Sequence, residues 1–196
     1  MQDDRRDSGP HLIGPHGGYA KLGSYQVATI VYDATVAFCD RFISPRSRTH
    51  DQMVQAARSA KQNIPEGSVR AATSRMGEFN LTGVALASAE ELLKDYEDFL
   101  RQRGLPLWEK ERPPAQAVRR LAYAPNRSYE TYRARVERGT PEVAANTLVC
   151  LVNQGIYLVR RQLRALEARL LEEGGVRENF YRARREMRDQ ERPRGR

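Results

Sequence analysis

Histidine is nearly missing from this chain. His11, His16 and His50 are the only three among 196 residues, and none follows a glutamate by three positions. That leaves no Glu-x-x-His pair for a di-iron carboxylate bundle, so no metal is expected. It also leaves no imidazole inside a predicted core to serve a Ser/His/Asp or Cys/His nucleophile. His50 reads as a surface residue in the first turn of a helix, not a general base. Cysteine is scarce too. Cys39 and Cys150 each fall in an apolar helical stripe, the usual place of a small buried hydrophobe, with a disulfide or a reactive thiol as alternatives.

Other absences narrow the class further. No apolar run approaches the roughly 20 residues that span a bilayer. The opening MQDDRRDSGPHLIGPHGG lacks the apolar centre of a signal peptide, so a cytoplasmic protein without a membrane partner is expected. There is no Walker A loop, and Gly14, Gly17 and Gly18 precede the folded region instead of joining a strand to a helix, so no cofactor is expected. Strand signal is almost nil, and no internal repeat is evident.

Lysine is the last scarcity, and it points to what is present. Of 33 basic residues 29 are arginine, on a chain of net charge +8 and pI near 9.8. Arginine forks suit phosphates and stack on bases, although a biased genome also enriches arginine. With 40% hydrophobic and 30% charged residues and a mean hydropathy of -0.71, the composition suits exposed, charged helices around one core.

Periodicity places those helices. After residues 1–18, which mix charge with Gly and Pro and read as disordered, Ser24 is a good N-cap for a stripe at Val27, Val31, Ala34, Phe38 and Phe42. Pro45 closes it. Thr49 can cap a second helix with Met53, Ala57, Ala60 and Ile64 inward. Ser74 can cap a third, where Phe79, Leu86, Leu93 and Leu100 recur at sevens with Ala89 and Tyr96 alongside, and Gly104 with Pro106 ends it. Thr140-Pro141 opens a fourth, carrying Leu148, Val152, Ile156, Val159, Leu163, Leu166 and Leu170 and stopping at Gly174-Gly175. The economical solution is an all-α, antiparallel four-helix bundle over 19–175. Residues 105–139 are too long for a bundle loop and should form a helical insert, with short helices at Pro114–Tyr123 and Ser128–Arg138. Residues 176–196 form a basic C-terminal tail that can extend as a short helix.

RSAKQNIPEGS interrupts this pattern, because Pro65 removes a backbone donor and clashes with the preceding turn. Ile64 to Gly67 therefore reads as a bend or helix end, with Gly67 free to take a left-handed cap. Glu90, Glu91, Asp95, Glu97 and Asp98 can be imagined as paired acids, but their spacing with Lys94 is that of an ordinary solvated face.

The basic segments are better candidates. RRLAYAPNRSYETYRARVER interleaves Arg119, Arg120, Arg127, Arg133 and Arg135 with Tyr123, Tyr129 and Tyr132. Arginines that neutralise phosphate and rings that stack on bases fit single-stranded nucleic acid or irregular RNA; the alternative is a solvated insert whose tyrosines pack on the bundle. Arg160, Arg161 and Arg164 add positive surface to the fourth helix, and Arg182, Arg184 and Arg185 lie in the tail.

DQMVQAARSAKQNIPEGS followed by EFNLTGVALASAEELL resembles the four-helix bundle protein family. That family includes proteins encoded in intervening sequences of large-subunit ribosomal RNA genes and the accessory variability determinant of diversity-generating retroelements. Gln52, Arg58, Ser59, Asn63, Ile64, Glu66 and Gly67, then Glu78, Phe79, Ala85, Ser88, Glu91 and Leu92, carry the likeness. The later NTLVCLVNQGIYLVRRQLRALEARLLEEGG resembles the variant with a four-helix-bundle suffix domain, though the insert is less typical. The resemblance implies a homopentameric ring, basic surfaces for nucleic acid, a reverse transcriptase as partner in the retroelement branch, and no enzymatic activity. The expected protein is thus a non-enzymatic, oligomeric RNA- or DNA-binding accessory of a retroelement reverse transcriptase. A protein-interaction scaffold without direct nucleic-acid binding is the alternative.

Overall fold

A computed structural model describes residues 18–173, 181–182 and 184–188, and all of its regular structure is helical. Of the stretch 1–18 expected to be disordered, 1–17 lie outside the described residues while Gly18 already opens a 3-10 turn; the stop at Gly174-Gly175 also lies outside them. A short 3-10 turn, Gly18–Lys21, leads into α1 (Gly23–Phe42), α2 (Arg48–Arg70) and α3 (Arg75–Gln102). Then come α4 (Pro113–Arg120), a second 3-10 turn (Leu121–Tyr123), α5 (Glu130–Glu137) and α6 (Pro141–Glu173). The four long helices close a ring of contacts, α1 with α2, α2 with α3, α3 with α6 and α6 with α1, while α4 and α5 pack on α6.

The sequence stripes become the core. Val27, Val31, Ala34 and Phe38 of α1 and Met53, Ala57, Ala60 and Ile64 of α2 are buried. In α6 Leu148, Val152, Ile156, Val159 and Leu166 are buried as well. In α3 the buried line is Ala85, Ala89, Leu92, Tyr96 and Phe99; Phe79, Leu86 and Leu93 of the seven-residue series are only half-buried. The helix has turned slightly because 3.6 residues per turn do not hold a strict period of seven on one side. At one end of the α1–α3 contact, Phe38 meets Tyr96 and Phe99 edge-on at centroid distances of 5.0 and 4.8 Å. The buried Tyr96 hydroxyl donates to Thr35 Oγ1 at 2.9 Å, which satisfies the one polar atom of that cluster.

Caps fall partly where expected. Ser74 Oγ accepts from the Gly77 amide at 3.0 Å, and Thr140 Oγ1 accepts from the Val143 amide at 3.3 Å. Gly104 takes φ +62 just after α3, where the Leu105 amide returns to the Leu100 carbonyl. Two expected caps are displaced. Ser24 lies inside α1, buried, and donates to Gln162 Oε1 of α6 at 2.7 Å, so a tertiary bond has taken the hydroxyl. Ser47, not Thr49, caps α2, its Oγ accepting from the Thr49 amide.

Pro65 is the main correction. The helix does not end at Ile64–Gly67; α2 runs through Pro65 to Arg70. Proline takes the donor from the Lys61 carbonyl. Packing on both sides of Pro65 outweighs that loss, since Ile64 is fully buried and Gly67 is buried against α3. Gly67 is helical, and its role is steric. A Cβ there would sit 3.3 Å from the Glu78 carbonyl and 3.5 Å from Leu81, so its absence lets α2 approach α3.

The segment between α3 and α6 is anchored by Asn146, which is 1% exposed. Its Oδ1 accepts from the Trp108 amide at 2.7 Å, and its Nδ2 donates to the carbonyls of Pro106 and Glu142. The Trp108 indole donates to Glu142 at 2.6 Å. The two short helices form close to the expected places, because Ala115, Val118, Tyr132 and Val136 give each an apolar side to bury.

Because α2 is continuous, Pro65→Ala restores a helical hydrogen bond. Urea denaturation should show a stability gain of about 1 kcal/mol, net of the lost restriction on the unfolded chain. A true helix end at Pro65 would show no gain.

Candidate nucleic-acid interface

The expected site residues separate into two groups once their surroundings are known. In the insert, Tyr132 is a correction: at 1% exposure its ring fills the core and cannot meet a base. Its hydroxyl is buried with no hydrogen-bond partner among the described residues. Burial raises its pKa, and the nearby Arg127 pulls the other way. Tyr129 is half-buried, and its hydroxyl donates to Glu137 at 2.9 Å; burial and that bond raise its pKa. Arg133 lies between Glu130 and Glu137, with contacts of 3.1 and 2.9 Å, so its charge is matched locally. Arg127 donates to the Ala122 carbonyl and braces its own turn. Arg135 is half-buried.

Three insert residues remain open. Arg119 and Arg120 end α4 at the surface, and Tyr123, one turn on, is 89% exposed. Arg119 approaches α6 at Cys150. Burial raises that thiol's pKa, and the Arg119 charge opposes the rise.

Cys150, within electrostatic reach of Arg119, begins the outer side of α6. At 100° per residue, Cys150, Asn153, Tyr157, Arg160, Arg161 and Arg164 share an arc of about 100°, and Cys150 to Arg164 spans about 21 Å. Beyond the half-buried Cys150, each of these is exposed. Arg160 bonds to Glu90 of α3 at 2.6 Å, which uses one of the acids once imagined as a catalytic pair. The Arg161 guanidinium lies 6.0 Å from the Tyr157 ring centroid. Among the described residues, no hydrogen bond or ion pair ties Arg164. The stripe joins Arg119 at one end to Arg164 at the other. Arg182, Arg184 and Arg185 are helical and exposed.

Tyr157, 60% exposed, was not among the expected residues. The signal was present in YLVRRQLR, where a ring stands three, four and seven residues before arginines. Only the assignment of Leu148, Val152, Ile156 and Val159 to the core turns that spacing outward.

The remaining chemistry is modest. Among the described residues, no three His, Cys, Asp or Glu side chains converge as metal ligands. His50 is paired with Asp40 at 3.1 Å. Asp95 has a raised pKa, from burial first and then from Glu91 and Asp98. An open groove of about 410 Å³ runs between α2 and α3, lined in part by Arg48, Gln52, Ser59, Ser88 and Glu91. By length and composition α6 could cross a membrane, but 61% of its most apolar window is buried against other helices.

No family model, curated protein or solved structure matches the chain.

The Cys39 thiol is protected. Cys39 is fully buried, and burial first, then Asp40 and Asp95, pushes its pKa up to about 12. The unfolded chain ionises it near 9.0, so the stability its neutral form contributes is complete below that value and is lost as pH rises toward about 12. Urea midpoints should fall across this window, and less steeply in C39A. Native protein at pH about 8 should leave Cys39 unmodified by a thiol reagent until denaturant is added.

Proposed function

We propose that this chain is a non-enzymatic accessory protein that binds RNA or DNA through the outer side of α6 and the adjoining corner of Arg119, Arg120 and Tyr123. The observation that carries the reading is the stripe itself. Arg161 and Arg164 stand on one solvent-facing arc of the longest helix, in line with Arg119, while the acids near them are few. An array of guanidinium groups on a rigid helix is a phosphate-binding surface, and its affinity comes from released counterions. The four long helices are read as an antiparallel four-helix bundle with 105–139 as its insert. That arrangement suits the closed ring of helix contacts and the resemblance noted in the sequence. The resemblance also supplies a homopentamer and a reverse transcriptase partner as assemblies to test.

The second reading, a protein-interaction scaffold, is favoured by a different side of the molecule. Met76 and Val84 of α3 are 54% and 49% exposed, and Val69 at the end of α2 is 56% exposed. Of the residues that carry the resemblance, Gln52, Ser59, Ser88 and Glu91 line the α2–α3 groove instead of the core. Contact with another copy or a protein partner would cover these positions.

The readings part in a binding titration. Arg119, Arg161 and Arg164 changed together to Gln should weaken binding to nucleic acid at least tenfold near 0.1 M salt and lower the log–log salt slope by about 2. Arg133→Gln, whose charge is already matched, should change neither. A chain that binds no RNA or DNA at low salt, yet retains a protein partner, would support the scaffold instead.

A further inference from the structure

We infer that the nucleic acid taken by this stripe is an unpaired strand, with Tyr157 as the platform on which a base stacks. The inference rests on the nucleic-acid reading above and concerns only what kind of strand the surface accepts.

Tyr157 stands on the outer side of α6, opposite its buried positions, with 60% of its surface exposed. Among the described residues, none hydrogen-bonds to its hydroxyl. The Arg161 guanidinium, one turn on, lies 6.0 Å from the ring centroid. Arg160, on the other flank, is held by Glu90, which fixes that edge of the stripe to α3. A ring with a cation beside it and an arginine beyond can accept a base face while the adjacent phosphates meet Arg161 and Arg164.

Groove readout is the competing use of a basic helix, and it needs side chains that reach base edges; Arg161 and Arg164 suit either use, so the other exposed side chains on the arc separate the two. Asn153 is the exposed amide on the arc, and its Nδ2 already donates to the Val149 carbonyl at 2.9 Å. What the surface offers is a π-face and positive charge. In a duplex each base face is covered by its neighbour, so a ring on a rigid helix meets a face only where the strand is unpaired. At the other end of the line, Tyr123 is 89% exposed beside Arg119 and Arg120 and repeats the combination. Two exposed rings, each with arginines beside it in sequence, fit contacts with more than one base of an unpaired strand.

The test compares fluorescence anisotropy of labelled oligonucleotides of about 16 residues, single-stranded RNA and DNA, with a duplex of the same sequence at equal salt. The wild type should prefer the single strands. Tyr157→Ala should weaken single-strand binding about tenfold and leave duplex binding unchanged, whereas Tyr157→Phe, which keeps the ring, should retain it. A 2-aminopurine probe in the strand should be quenched by wild type and Y157F but not by Y157A. Equal urea midpoints for the three proteins would exclude a folding effect. Arginine-dependent binding that does not distinguish strand from duplex, or a Y157A affinity within about twofold of wild type, overturns this inference and leaves the nucleic-acid reading standing. Absence of arginine-dependent binding to any oligonucleotide overturns both.

Discussion

The burial of one side of α6 is the constraint on which the rest depends. Leu148, Val152, Ile156 and Val159 are pressed into the core, and α1 and α3 both pack along this helix. Once that side is sealed, the rotation of the helix is fixed. Every other position then has a determined direction, because 3.6 residues per turn leave no freedom. Tyr157, Arg161 and Arg164 face solvent for the same reason that Ile156 and Val159 do not. The surface that carries the proposed function is thus set by the packing of the core.

The segment between α3 and α6 depends on the same helix. Asn146, buried in the first part of α6, holds the Trp108 amide and the Pro106 carbonyl, so the chain leaving α3 is tied down before α4 begins. Val118, Tyr132 and Val136 then complete the core. Two of the three backbone groups this buried amide meets, the Trp108 amide and the Pro106 carbonyl, belong to the irregular stretch after α3, where no helix ladder pairs them. The consequence for function is a division of labour among similar residues. Tyr132 became core and Arg133 a local ion pair, while Arg119, Arg120 and Tyr123 stayed free because the end of α4 projects past its last buried residue.

Much of this was legible before any coordinates. The stripes of α1, α2 and α6, the caps at Ser74 and Thr140, the stop at Gly104 and the two short helices all follow from local periodicity and backbone chemistry. The illegible parts share one cause, competition from distant residues. Ser24 left its capping role for Gln162 of α6. Pro65 stayed within α2 because Ile64 and Gly67 are buried on either side of it, and chain-local rules do not register that burial. Among site residues the same limit applied. Interleaved Arg and Tyr read alike along the insert, and nothing local distinguishes the ring of Tyr123 from that of Tyr132. Tyr157 was passed over because it sits in an apolar run whose outward side is known only after the core is assigned.

By itself the sequence determined that the chain is helical, where most helices begin and end, and that its excess charge is arginine. These depend on composition, turn residues and short-range hydrogen bonds, whose energies are decided within a few residues. Tertiary structure alone decided which arginines remain free and which ring faces water. An ion pair such as Arg160 with Glu90 joins residues on different helices, and burial of a ring such as Tyr132 depends on surfaces contributed by several elements. Those outcomes are set by packing in three dimensions, where side chains distant in sequence compete for the same space.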